Sequence, residues 1–191
     1  MREKDTAKQT SIIDEVSNII LNEGIAAVSM SKIAKASGIS SSTIYVYFTD
    51  KEDVLKQVYL AKKEMLATFL LKSIEATTDN PVIFAQQFMR ALYEFGMQHY
   101  EALMIIEQFN SSPVRNNLQI SQAESYRGFE RLFEATSHAP QFVTDSAAVI
   151  LGFAYAPIVL YVKARKTNQL AAQTISIEQV IDMCMHALLK E

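Results

Sequence analysis

Between Gly24 and Asp50 the chain spells two helical stretches of about two turns each, too short to hold together in water without neighbours. Ser29 stands as an N-cap before Met30-Ser31-Lys32-Ile33-Ala34-Lys35-Ala36, and Ser37-Gly38 ends that stretch. Ser40 then caps Ser41-Ser42-Thr43-Ile44-Tyr45-Val46-Tyr47-Phe48, in which Ile44 and Phe48 lie four apart and share an inward stripe. The support comes from upstream. Ile12, Val16, Ile19 and Ile20 recur at the spacing of one buried helix face, so a helix is predicted from about Lys8 to Asn22, with Gly24 as its stop. Three helices joined by tight turns, the last two short, make a helix-turn-helix.

Only five Gly and four Pro in 191 residues leave too little punctuation for a turn-rich β architecture. The expected class is therefore all-α: an N-terminal three-helix head over residues 1–50 and a larger helical body over residues 51–191. Thr49 or Asp50 opens a long helix to about Glu75, and Asn80-Pro81 starts another to about Tyr100. Further helices are predicted over residues 101–110, 113–136, 141–166 and 176–190, with Pro157 expected to kink the one that contains it. No stretch is expected to approach the roughly 18 uninterrupted apolar residues of a membrane span, and no apolar signal core follows the N-terminus. With a single cysteine, Cys184, the sequence reads as a soluble cytoplasmic protein with no disulfide and no membrane partner.

A helix-turn-helix lays its second helix in the major groove of double-stranded DNA, so the side chains must divide between core and groove. With Ile44 and Phe48 turned inward, Ser41, Ser42, Tyr45 and Val46 face the groove, and Thr43 and Tyr47 flank that face with hydroxyls for phosphate oxygens. Ser29, with the free amides at the start of its helix, suits another phosphate, and Lys51 suits one on the far flank. The groove face lacks Arg, Lys, Asn and Gln, the usual bidentate partners of guanine and adenine, so readout is expected to rest on hydroxyls and thymine methyls. A net charge of −3 argues against a nucleic-acid partner, but from Gly24 to Thr49 the chain holds Lys32 and Lys35 and no acidic residue. Arg2, Lys4 and Lys8 offer a weaker, arm-like contribution in the minor groove.

The run Ile33-Ala34, Gly38-Ile39-Ser40, Thr43-Ile44-Tyr45, Tyr47-Phe48 and Lys51 resembles the head of TetR-family regulators, over roughly residues 8–56. Val28, Ser42 and Val46 depart from the family pattern, where a hydroxyl residue, glycine and histidine are common. The resemblance implies a DNA-binding transcription regulator: a homodimeric repressor joined through its last two long helices, with a cavity in each body and release from a palindromic operator when a small ligand binds. Small residues Ala147, Ala148, Gly152, Ala154 and Ala156 and the stripe Ile177, Val180, Ile181, Cys184 and Leu188 fit such an interface. Ile150 joins that set; the competing reading is a stripe buried within one subunit.

Aromatic and thioether side chains crowd the body. Phe88, Met89, Tyr93, Met104, Phe129 and Tyr155, with His99, Gln108 and Tyr126 as polar groups, are candidates to line a pocket for an apolar or amphipathic effector. No Gly-rich phosphate loop, nucleophile elbow or paired His-Glu spacing points to an enzyme. Met183-Cys184-Met185-His186 contains soft ligands, but residues one or two apart on a helix point away from each other, so neither metal nor cofactor is expected. The alternatives are a regulator of the same fold without an effector, or a metal-responsive one.

Overall fold

The computed structural model describes residues 2–74, 80–169 and 174–190, with backbone alone for residues 2–5 and 147. The helices are α1 (Arg2–Glu23), α2 (Met30–Ser37), α3 (Ser41–Tyr47), α4 (Lys51–Ser73), α5 (Pro81–Gln98), α6 (Tyr100–Asn110), α7 (Val114–Asn117), α8 (Gln122–Tyr126), α9 (Glu130–Thr136), α10 (Ala147–Lys166) and α11 (Ile177–Leu188). No strand occurs among the described residues, and the fold is all-α. Two compact units form, residues 1–64 with 101–125 and residues 65–100 with 126–191.

In the first unit α1 packs against α2 and α2 against α3, and the Gln9 amide of α1 donates to Gln57 of α4 at 2.6 Å. Ile12, Val16, Ile20, Ile33, Ile44, Phe48, Val54, Leu55 and Val58 are all buried. Burying each such side chain stabilises the fold by about 1.5–3 kcal/mol, which is what holds two helices too short to persist alone. From α6, the Gln108 amide donates to the Ile20 carbonyl at 3.1 Å, and Phe109 meets the Tyr59 ring edge-on at 5.3 Å.

In the second unit α10 packs along α5 and α11, and α5 also packs on α9. Asn80 caps α5, accepting from the Val82 and Ile83 amides at 2.9 and 3.3 Å, with Pro81 in the first helical turn. Ser176 and Gln179 close a reciprocal capping box on α11, at 3.2 and 2.9 Å. Arg90 of α5 grips the carboxylate of Glu178 with two donors, the Nε at 3.0 Å. The Arg90 hydrogen bond is the main reason the Glu178 carboxyl lies below its ordinary range.

Two expectations from sequence are corrected. The helix predicted over residues 113–136 is three short ones, because Gln119 and Gly128 take left-handed backbone angles, φ 47° and 88°. The helix predicted from Gln141 begins at Ala147. Residues 141–143 run antiparallel to the chain leaving α11 instead: Val143 donates to the Leu188 carbonyl and Lys190 to that of Gln141, each at 2.9 Å. The Ala148–Lys166 segment, with a mean hydropathy of 1.5, is long and apolar enough to cross a membrane by length and composition, a test that packed helices of globular proteins also pass. Here one of its faces lies along α5 and α11, and the helix continues through Pro157.

Candidate nucleic-acid interface

Local chemistry shapes the head. The Ser29 hydroxyl accepts from the Lys32 amide at 3.3 Å and starts α2. Gly38, at φ 63°, closes it with the Schellman pattern in which the Ile39 amide reaches the Ala34 carbonyl at 3.1 Å. Ser40 opens α3 by accepting from the Thr43 amide at 3.1 Å, and its hydroxyl also lies 2.7 Å from that of Ser42 and 2.8 Å from that of Thr43. Asp50 accepts from the Asp53 amide at 2.8 Å, while the Asp53 carboxylate takes the Thr49 amide at 2.9 Å, so α4 begins squarely at Lys51.

Ile44 and Phe48 anchor α3, and the opposite face is bare. Ser41 and Ser42 are exposed, Tyr45 is 56% exposed and Val46 77%. Thr43, Tyr47 and Lys51 are half-buried around this face, and Ser29 is exposed at the start of α2. The electrostatics differ from the count of charges in the sequence. Lys32 is held in an ion pair by Glu23, from just before the acid-free stretch, which leaves Lys35 exposed on α2 and Lys51 at the start of α4 as the cations of the turn region. Arg2 and Lys4 have side chains outside the described residues.

Residues 12–58 match the sequence model of bacterial regulatory proteins of the tetR family. The match takes in α2, α3 and the helices that support them, about a quarter of the chain. Among TetR-family structures, a transcription regulator from Marinobacter aquaeolei superposes with a TM-score of 0.82 over 100% of both chains at 21% identity. An HTH-type transcriptional regulator of Haemophilus influenzae is 27% identical over 115 residues, 59% of this chain and 60% of that protein. The fatty acid metabolism regulator protein of Bacillus subtilis is 38% identical over 63 residues, 33% of this chain and 31% of that protein. The chain thus matches at most about three-fifths of the length of these two curated relatives.

The candidate effector residues divide between the units. Met104 and Gln108 belong to the first, the Gln108 amide being engaged with Ile20. In the second, Phe129 stands edge-on to Phe88 at 5.6 Å and to Tyr155 at 5.7 Å, forming one run of rings. Met89 is fully buried. The others lie in separate ring contacts: Tyr93 with Tyr161, His99 with Phe69 and Phe95, and Tyr126 with Phe133. A cleft of about 310 Å³ beside α11 is lined by Gln86, Asp182, Met185, His186, Leu189 and Lys190, and by none of these candidates.

Of the candidate interface residues, Ile150, Ala154, Ile181, Cys184 and Leu188 are buried within the unit, Ile177 and Val180 are half-buried, and the Ala147 side chain lies outside the described residues. The exposed apolar face is a different one. Val149, Phe153 and Leu160 of α10, with Gly152 and Ala156 between them, and Met183 of α11 meet solvent. The period at 149, 153, 156 and 160 was the available signal, masked because α10 is apolar on every side. Burial pushes the Cys184 thiol up, so it stays protonated at neutral pH. Disulfide-exchange reagents are expected to label it at least about tenfold more slowly in the native protein than in guanidinium, as thiolate access requires; equal rates in a thiol-release assay contradict the buried placement.

Proposed function

We propose that the protein is a homodimeric repressor that binds a palindromic operator in double-stranded DNA through α2 and α3 and is released by an apolar or amphipathic ligand. The observation that carries the DNA-binding part is the bare face of α3, Ser41, Ser42, Tyr45 and Val46, set on a fully buried scaffold inside the residues that match the family. Thr43, Tyr47, Ser29 and Lys51 surround it as phosphate contacts. Pairing of two copies through the exposed faces of α10 and α11 sets two heads on one duplex, one helical turn apart. The ring run Phe88–Phe129–Tyr155 supports an apolar effector site. The Bacillus subtilis relative, named for fatty acid metabolism, makes fatty acids of graded length the first series to test.

The test is a mobility shift with the full chain and the palindromic segments beside its own gene, at salt from about 50 to 200 mM, the range over which phosphate contacts weaken steeply. Retarded complexes that weaken with salt are expected, and complete absence of them overturns the reading. Tyr47→Phe and Lys51→Ala lower affinity for every bound duplex alike, whereas Val46→Ala changes the ranking among duplexes. Equal losses from both kinds of change contradict the division of roles. Release by at least one fatty acid is expected; release by none removes that ligand class.

A further inference from the structure

We infer that Val46 reads the C5-methyl group of a thymine in each operator half-site, an inference that rests on the DNA-binding reading above. In the first compact unit, among the described residues, Tyr45 and Val46 are the only large hydrophobic side chains left exposed, the others being buried or half-buried. Val46 shows 77% of its surface and sits four residues after Ser42, so the two share one face. Helix α3 is seven residues, about 10 Å long at 1.5 Å per residue. With side chains a helix is about 10–12 Å across, which a major groove about 12 Å wide admits.

The polar groups on that face discriminate poorly. A serine hydroxyl accepts from or donates to any base pair, and the hydroxyls of Ser42 and Thr43 already share hydrogen bonds with that of Ser40 at 2.7 and 2.8 Å. No Arg, Lys, Asn or Gln lies on α3 to make a bidentate contact. The methyl pair of Val46 remains, and the one apolar feature that an unmodified base edge offers in the major groove is the thymine methyl. Ser41 and Ser42, which project little, let the helix come close enough for Val46 to bury it. Burial of one methyl is worth about 0.8 kcal/mol, roughly fourfold in affinity per half-site.

The experiment selects duplexes from a random library with the full-length protein, then resynthesises the best one with deoxyuridine in place of thymine, one symmetric pair of positions at a time. Deoxyuridine keeps the pairing and removes only the methyl. At one thymine per half-site the replacement is expected to weaken wild-type binding about fourfold for each half-site, and Val46→Ala, a change at an exposed position, is expected to abolish that difference. If no thymine is sensitive, or if Val46→Ala retains the same sensitivity, the inference is overturned while DNA binding stands. If the library yields no enriched duplex, the DNA-binding reading falls and this inference with it.

Discussion

Phe153→Glu is expected to keep the protein from forming the proposed dimer and to lower operator affinity at least a hundredfold. Phe153 is 43% exposed at the middle of the stripe formed by Val149, Gly152, Ala156 and Leu160, a face left open among the described residues. A twofold interface is built from the same patch on both copies, so one substitution buries two like charges without partners. An unpaired buried charge costs several kcal/mol, about 3–5, and that exceeds what a modest interface can absorb. Affinity follows assembly, since a single head with few cations makes few phosphate contacts. Light scattering after size exclusion reads the mass, and a mobility shift reads the affinity. Ile83→Glu, at a similarly exposed site on α5, leaves both unchanged. A Phe153→Glu protein that remains a dimer places the interface elsewhere.

Gly128→Ala is expected to cost at least about 3 kcal/mol of stability, from overpacking added to left-handed strain. Its φ is 88°, and a Cβ built there falls 2.7 Å from both the Cα and the Cβ of Ala67. Backbone on the facing helix cannot swing aside as a side-chain tip can. Gly24→Ala and Gly38→Ala share the positive φ but meet nothing within 4 Å, so each is expected to cost only about 1 kcal/mol. Urea unfolding of the three variants separates contact from conformation. A loss at Gly128 no larger than at the other two rules out the close approach to Ala67. Ala67→Gly combined with Gly128→Ala recovers part of the loss, because it removes one of the two clashing atoms.

The head was legible because its instructions are local. Ser29, Ser40 and Gly38 act on amides and carbonyls within a few residues, and Ile44 with Phe48 declares the inward face of α3 directly, so the outward residues follow by elimination. The body was less so. Helix α10 is apolar on all sides, and periodicity could not choose which side meets α5 and which is left exposed; five of the residues picked for an interface are buried inside the subunit. Residues 141–143 adopt an extended path because their hydrogen-bond partners are Leu188 and Lys190, more than forty positions away. Gln119 takes a left-handed angle with nothing in its neighbours to announce it. Aromatic content likewise says that rings will meet, and leaves open which ones.

The ion pairs of the first unit bear on how such a protein finds its target. Lys32 is held by Glu23, Lys56 by Glu124 at 3.5 Å and Lys62 by Asp14 at 3.7 Å, so much of the positive charge near the head is already answered from within. Bulk DNA attracts proteins through unanswered cations and retains them in proportion to the counterions displaced. On the DNA-binding reading, a head of this kind is expected to spend little time sliding along unrelated sequence and to search by repeated short encounters from solution. On the same reading the chromosome is expected to be a weak reservoir for it, so that the number of copies in the cell sets the concentration available to each operator.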